Sequence, residues 1–400
     1  MVTRRDIIRS AGAGAIAAAL PSFVFAKTES TSRFVLVILR GAADGMSIAA
    51  PYGDSDYPRI RGDLALSPPG QDGGALKLDG MFGLHPSLAG VFEEYEKNQA
   101  LVVHAIASPY RERSHFDGQD VLENGGANAG LLRDGWLNRA LGPPGSSLGN
   151  ESAIAMAVNT PLVLRGENEV TSWAPSQLPD AEESTIRRLQ DLYADDEFFA
   201  TRLAQAIKSQ EIADGEQSMD RMRGRSRDAK QVKNMMLATS RFLTADGGPR
   251  IAVVETGGWD THQNQGNATG ALANRLAGLD AGLVALRDGL GSTWSDTVVA
   301  VVTEFGRTAH VNGTRGTDHG TATAAILLGG AVNGGRVVAD WPGLGKSDLY
   351  EGRDLTPTAD TRGMFKGILA DHLAVPGSVL ENSVFPNSAD APQMRDLIRA

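Results

Sequence analysis

The stretch that most restricts this chain is "RFVLVILRGAADGMS", residues 33–47, where six apolar side chains follow one another before Arg40 and Gly41 interrupt them. A strand with one wet face alternates apolar and polar residues. An unbroken apolar run needs cover on both faces, which means a parallel sheet sandwiched between helices. The same signature returns in "ALVVHAIAS" (100–108), "RIAVVET" (250–256), "DTVVAVVTEFG" (296–306) and "TAAILLGGAV" (323–332). Between the runs lie helical patterns. Leu88, Val91, Phe92 and Tyr95 share one helical stripe, and Leu272, Leu276, Leu279, Leu283, Leu286 and Leu290 form another. Strand, helix and strand in succession mark a crossover unit. The expected architecture is therefore α/β, a three-layer sandwich with a mainly parallel central sheet. Residues 180–243 are charged and lack strand-like runs, so they read as a helical insertion or cap, with "GRSRDAK" as a solvated hinge or exposed helix face.

If the sheet is parallel, the loops at its carboxyl ends gather along one edge, where α/β proteins bind their ligands. Groups able to hold a metal follow the runs with some regularity. Asp44 closes the first, His115 follows the second, Asp260 and His262 follow the third, Glu304 ends the fourth, and Asp318-His319 precede the last. Asp260-Thr261-His262 can also be read as a capped turn, and Asp44-Gly45 as a plain one. The chain has no cysteine, so thiolate ligands, disulfides and a thiol nucleophile are excluded. Any ion here is held by oxygen and imidazole, which points to a divalent metal, one or two ions of zinc, manganese, magnesium or calcium. Two cations held by such groups can bind a tetrahedral oxyanion and support in-line displacement. Ser114 is the hydroxyl best placed to act as a nucleophile, with Ser108 and Ser47 behind it. Arg307 is a candidate clamp for an anionic substrate or, equally, one half of a structural salt bridge. His85 reads as a cap or packing residue, His104 as a core histidine, and His310 and His372 as surface or packing residues.

A formal net charge of −10 leaves no basic face for nucleic acid. No apolar stretch in the body is long enough to span a bilayer. The N-terminus "MVTRRDIIRSAGAGAIAAALPSFVFAK" has two adjacent arginines, a mildly apolar run and a small-residue exit at Val24-Phe25-Ala26. Residues 1–26 are thus expected to be a twin-arginine signal peptide, and 27–400 a single domain handled by the twin-arginine export machinery and delivered to the periplasm or beyond.

The combination "LRGAADGMS", "FGLHPSL", "RSHFDGQD", "GWLNR", "ETGGWDTHQNQ", "TEFGRT", "GTDHG" and "GRDLTPTADTR" resembles the DUF1501 family, mostly twin-arginine-exported bacterial proteins. That family in turn resembles the alkaline phosphatase-like superfamily, which includes sulfatases. The resemblance implies an alkaline phosphatase-like sheet and a bimetal site. Asp44 matches an aspartate at the end of the first strand, Ser114 a nucleophile after the second, Asp260 and His262 the ligands of one metal, and His319 the final histidine. Glu304-Phe305 stands where the superfamily usually has Asp-His, which removes one imidazole; His115 or Asp318 is the candidate replacement. The implied function is an exported metal-dependent hydrolase of phosphate or sulfate esters, acting on a small anionic ester or a polymer. The alternative is a non-catalytic exported binding or scaffold protein that retains the fold, with or without a structural metal.

Overall fold

The computed structural model describes residues 31–142, 152–175, 183–214 and 227–399. The expected signal peptide, and parts of the 180–243 segment including residues 224–226 of "GRSRDAK", lie outside them.

Each apolar run is a strand, and the sheet has nine: β1 (Arg33–Leu39), β2 (Ala100–Ala107), β3 (Ala153–Met156), β4 (Thr171–Ser172), β5 (Ile251–Thr256), β6 (Thr297–Val302), β7 (Thr323–Leu328), β8 (Arg336–Val338) and β9 (Ala359–Asp360). Their order is β8-β2-β7-β6-β1-β5-β3-β4, with β9 added beside β2. β1 is central, hydrogen-bonded in parallel to β5 on one side and β6 on the other. Only β7 among the described strands of this sheet runs antiparallel, between β2 and β6. The expected α/β fold with a mixed, mostly parallel sheet is what the chain adopts.

Alternation along β1 explains why the run had to be apolar throughout. Val35, Val37 and Leu39 pack on one face against α7 (Ala271–Leu290) and α6 (Arg227–Thr244), while Phe34, Leu36 and Ile38 pack on the other against α3 (Trp136–Ala140) and α8 (Thr361–Leu373). All six leucines of the predicted α7 stripe are buried. The first predicted helix is α1 (Ala89–Glu96), and α2 (His115–Asn124) follows β2. The charged 180–243 segment is helical where described, as α4 (Glu183–Tyr193), α5 (Glu197–Asp214) and α6. Of these, α6 belongs to the core rather than to a cap: its Met236, Phe242 and Leu243 are fully buried under α7 and the sheet. No described helix is long and apolar enough to cross a membrane.

The short strands β3, β4, β8 and β9 were not evident from periodicity. Four residues or fewer cannot establish a period of two.

Candidate metal centre

The sheet edge where β1, β5 and β6 end carries the chemistry. After β5 the chain turns through Gly258, whose φ of +85° suits glycine, and presents Asp260 and His262. His115 opens α2, the helix that follows β2. Asp318 and His319 reach the same edge by another route. They precede the antiparallel β7, so it is the amino end of that strand that arrives here. An isolated bridge between Arg307 and His319 extends the β6–β7 ladder into the site.

Four side chains converge. The Nε2 atoms of His262 and His319 are 3.0 Å apart, and Asp260 Oδ1 lies 3.0 Å from the first and 3.3 Å from the second. A tetrahedral ion with bonds near 2.0–2.1 Å has ligand–ligand edges of about 3.3 Å, so this triangle is close to metal-binding size before any ion enters. His115 Nε2 lies 3.4 Å from Asp260 Oδ2 and is buried without a hydrogen-bond partner. Ligand atoms of His115, Asp260 and His319 all fall within 4.8 Å of one another.

The far side of each ring decides what these atoms can do. Nδ1 of His115 is 2.8 Å from Glu304 Oε1, Nδ1 of His262 is 3.0 Å from Asp318 Oδ1, and Nδ1 of His319 is 2.9 Å from the Arg113 carbonyl. All three partners are acceptors, so each ring can place a proton on Nδ1 and leave Nε2 turned toward the centre. In that tautomer the three Nε2 atoms and the Asp260 carboxylate would together offer a donor set to a cation placed between them. Ligand histidines are held in this same manner by outer carboxylates and carbonyls.

The surroundings shift these groups in different directions. Burial disfavours the Asp260 carboxylate, but the Arg307 hydrogen bond (2.5 Å) and charge outweigh it and hold that carboxyl below its usual range. Hydrogen bonds from His115 and Gln119 likewise overcome burial at Glu304, and the Asn312 amide lowers Asp318. Desolvation lowers His319 and so favours its neutral form. The hydrogen bond to Glu304 raises His115. Asp260 and His262 are 40% and 39% exposed, so the centre opens to solvent. Phe116, next to ligand-type His115, is almost wholly exposed at the rim.

The candidates named from sequence therefore divide. His115, Asp260, His262 and His319 face the centre. Glu304 and Asp318 stand behind imidazoles, where they orient rings and do not point at the same space. Asp44 is not brought into the group: it is sealed among Arg61, Ser47 and Gln265, with burial opposing and Arg61 favouring its ionised form, the latter winning. Arg307 is fully buried and its guanidinium is taken up by Asp260 and by both the hydroxyl and the carbonyl of Thr317. That is the salt-bridge alternative, with no arm left to clamp a substrate. Ser114 is half-buried at the start of α2, and its backbone N–H donates to the Tyr110 phenol oxygen at 3.1 Å. Ser47 is consumed by Asp44, and Ser108 is buried. His104 is a core histidine bonded to the Ala49 carbonyl, His85 and His372 bind the carbonyls of Asn267 and Arg33, and His310 is exposed. Sequence reasoning passed over Arg61, Gln265 and Thr317. Gln265 and Thr317 lie inside "ETGGWDTHQNQ" and "GTDHG", and Arg61 in no quoted motif; their roles come from contacts across loops, for Gln265 and Asp44 221 residues apart, that residue type does not reveal.

Residues 75–384 match a family model described as "Protein of unknown function (DUF1501)". No curated protein matches the sequence. Among solved structures, the chain is similar to Ps i-CgsB in complex with k-i-k-neocarrahexaose (9% identity, TM-score 0.38, 75% of this chain and 66% of that one). It is also similar to a phosphonate monoester hydrolase of Agrobacterium radiobacter (10%, 0.37, 86% and 74%). A third is the C-terminal periplasmic domain of EcEptC from Escherichia coli in complex with Zn (10%, 0.35, 78% and 77%). The chain thus spans just under two thirds of the first of these structures.

Proposed function

The chain belongs to the DUF1501 family, and from that premise we propose that it is an exported metal-dependent hydrolase of phosphate or sulfate esters. The observation that carries this reading is the convergence of three Nδ1-anchored imidazoles on the Asp260 carboxylate. His115, Asp260, His262 and His319 would hold one ion. Three imidazoles disfavour magnesium and calcium, which take oxygen ligands, and leave zinc or manganese from the expected set. When bound, such an ion supplies Lewis-acid stabilisation of developing negative charge and eases the deprotonation of water. The chain's own groups do the rest. Arg307 fixes Asp260, Glu304 and Asp318 fix two rings, and the open side of the centre admits an anionic ester and water. Water is the nucleophile in this reading. Export rests on the arginine pair and apolar run of residues 1–26.

One observation favours the second reading, a non-catalytic exported protein with a structural ion. Four protein donors are enough to close a tetrahedral shell, and no arginine arm at the centre is free for an anion. Elemental analysis of the purified protein, combined with assays on aryl phosphates and aryl sulfates, separates the two. The hydrolase reading expects about one zinc or manganese per chain and turnover that is lost in Asp260→Asn and His319→Ala. A stoichiometric, slowly exchanging ion without turnover supports the structural role. A chain that takes up neither zinc nor manganese removes both.

A further inference from the structure

We infer that Gln265 is a positioning residue that clasps the two ligand-bearing loops together and sets the spacing of the metal site. The inference rests on the metal reading above. Gln265 is fully buried, and every hydrogen-bonding capacity of its amide is filled. Its Oε1 accepts the hydroxyl of Thr261 at 2.8 Å and the hydroxyl of Thr317 at 2.8 Å. Thr261 stands between Asp260 and His262; Thr317 stands one residue before Asp318-His319. A single carbonyl oxygen therefore ties both loops that supply the 3.0–3.3 Å triangle.

The other end of the amide fixes where that oxygen sits. Nε2 donates to Asp44 Oδ2 at 2.6 Å and to Ser47 Oγ at 3.2 Å. Asp44 is itself held by the buried Arg61 guanidinium. The clasp is thus bolted to the end of β1, the middle strand of the sheet. The loops press close enough to need it: a Cβ on Gly316 would lie 2.3 Å from the His262 carbonyl oxygen, so only glycine permits the approach. Thr317 passes the constraint onward, since its hydroxyl also accepts from Arg307 Nε at 3.1 Å while Nη1 of the same arginine holds Asp260.

A glutamine that merely filled its own valences would contribute to stability and leave metal affinity alone. The clasp makes a different demand. Thr261→Val is nearly isosteric and leaves Gln265 Oε1 satisfied by Thr317, so it frees the side chain between Asp260 and His262 from the clasp, with little cost to folding, while the backbone bonds between the loops remain. The test is competition for Zn²⁺ between the full chain and a chelating indicator, with the melting temperature of the zinc-free protein measured alongside. Thr261→Val is expected to weaken zinc binding roughly 10-fold or more, the range seen when outer partners of metal ligands are removed, while the zinc-free melting temperature changes little. Thr261→Ser, which keeps the hydroxyl, is expected to retain wild-type affinity. Gln265→Glu, which replaces the donor facing Asp44 with an acceptor, is expected to weaken zinc further. Wild-type affinity in Thr261→Val, with binding lost in Asp260→Asn, would overturn the clasp and leave the metal site standing. Failure of the wild-type chain to bind zinc would overturn the clasp together with the reading beneath it.

Discussion

Two aspartates follow two neighbouring strands of this sheet, and they have opposite fates. Asp44, after β1, is 1% exposed and meets a guanidinium that is wholly buried. Asp260, after β5, is 40% exposed and meets the imidazoles of His262 and His319. The first carboxylate has its cation built into the chain. At the second, Arg307 is in contact and the other described neighbours are the imidazoles of His115, His262 and His319. Residue type and position after a strand are the same in both cases. Whether the neighbours leave an electrostatic demand unmet separates a foundation from a site.

That contrast can be broken from either side. Removing the built-in cation should have the largest effect on folding: Arg61→Met strands a buried carboxylate, which typically costs about 3–5 kcal/mol, read as a lower urea midpoint whether or not metal is present. A midpoint within error of wild type would mean that the pair is not a foundation. His319→Ala should do the reverse. Structural zinc is held with about 10–16 kcal/mol shared among four ligands, so one imidazole represents roughly 3 kcal/mol, or more than 100-fold in zinc affinity, with no loss of zinc-free stability. An equally large fall in the urea midpoint would erase the distinction.

Acid sharpens the same line. Burial pushes the His104 pKa from 6.5 down to about 4. Below pH 6.5 the unfolded chain therefore binds a proton that the folded chain refuses, so stability falls as pH drops from about 6.5 toward 4 and is unaffected by this group above that window. The full effect is about 3 kcal/mol. Urea midpoints at pH 7 and pH 5 should converge in His104→Asn relative to wild type; unchanged spacing would sink the assignment. The smallest expected effect belongs to Glu304→Gln, which keeps the shape behind His115 but removes its charge. Zinc affinity should drop about 10-fold to 100-fold, as for other outer partners, and isothermal titration would show it; an unaltered constant would reduce Glu304 to packing.

Long apolar strands made the layering and most of the strand inventory legible in the sequence, because six covered residues in a row admit few alternatives. Asp260, His262, His319 and His115 were legible as a set, since each lies next to the end of a strand. Their division of labour was not. Glu304 and Asp318 have the same ligand chemistry as Asp260, and only the direction of approach places them behind rings. Its neighbours in "TEFGRT" left Arg307 equally a clamp or half of a salt bridge, and the decision comes from Asp260 and from Thr317, which engages it twice. The reversed direction of β7 could not be read either, because an apolar run has the same composition in both orientations.

That reversal has a mechanical side. His319 is 59 residues from Asp260, and His115 is 189 residues from the glutamate that braces it. An ion held across these points would join remote parts of one polymer, and because the folded chain alone brings the ligands together, its binding free energy would add to the stability of the fold. Metal loading would then raise the melting temperature even in a variant unable to turn over any ester, so the ion's value to the molecule can be weighed as a staple, independently of its value as a reagent.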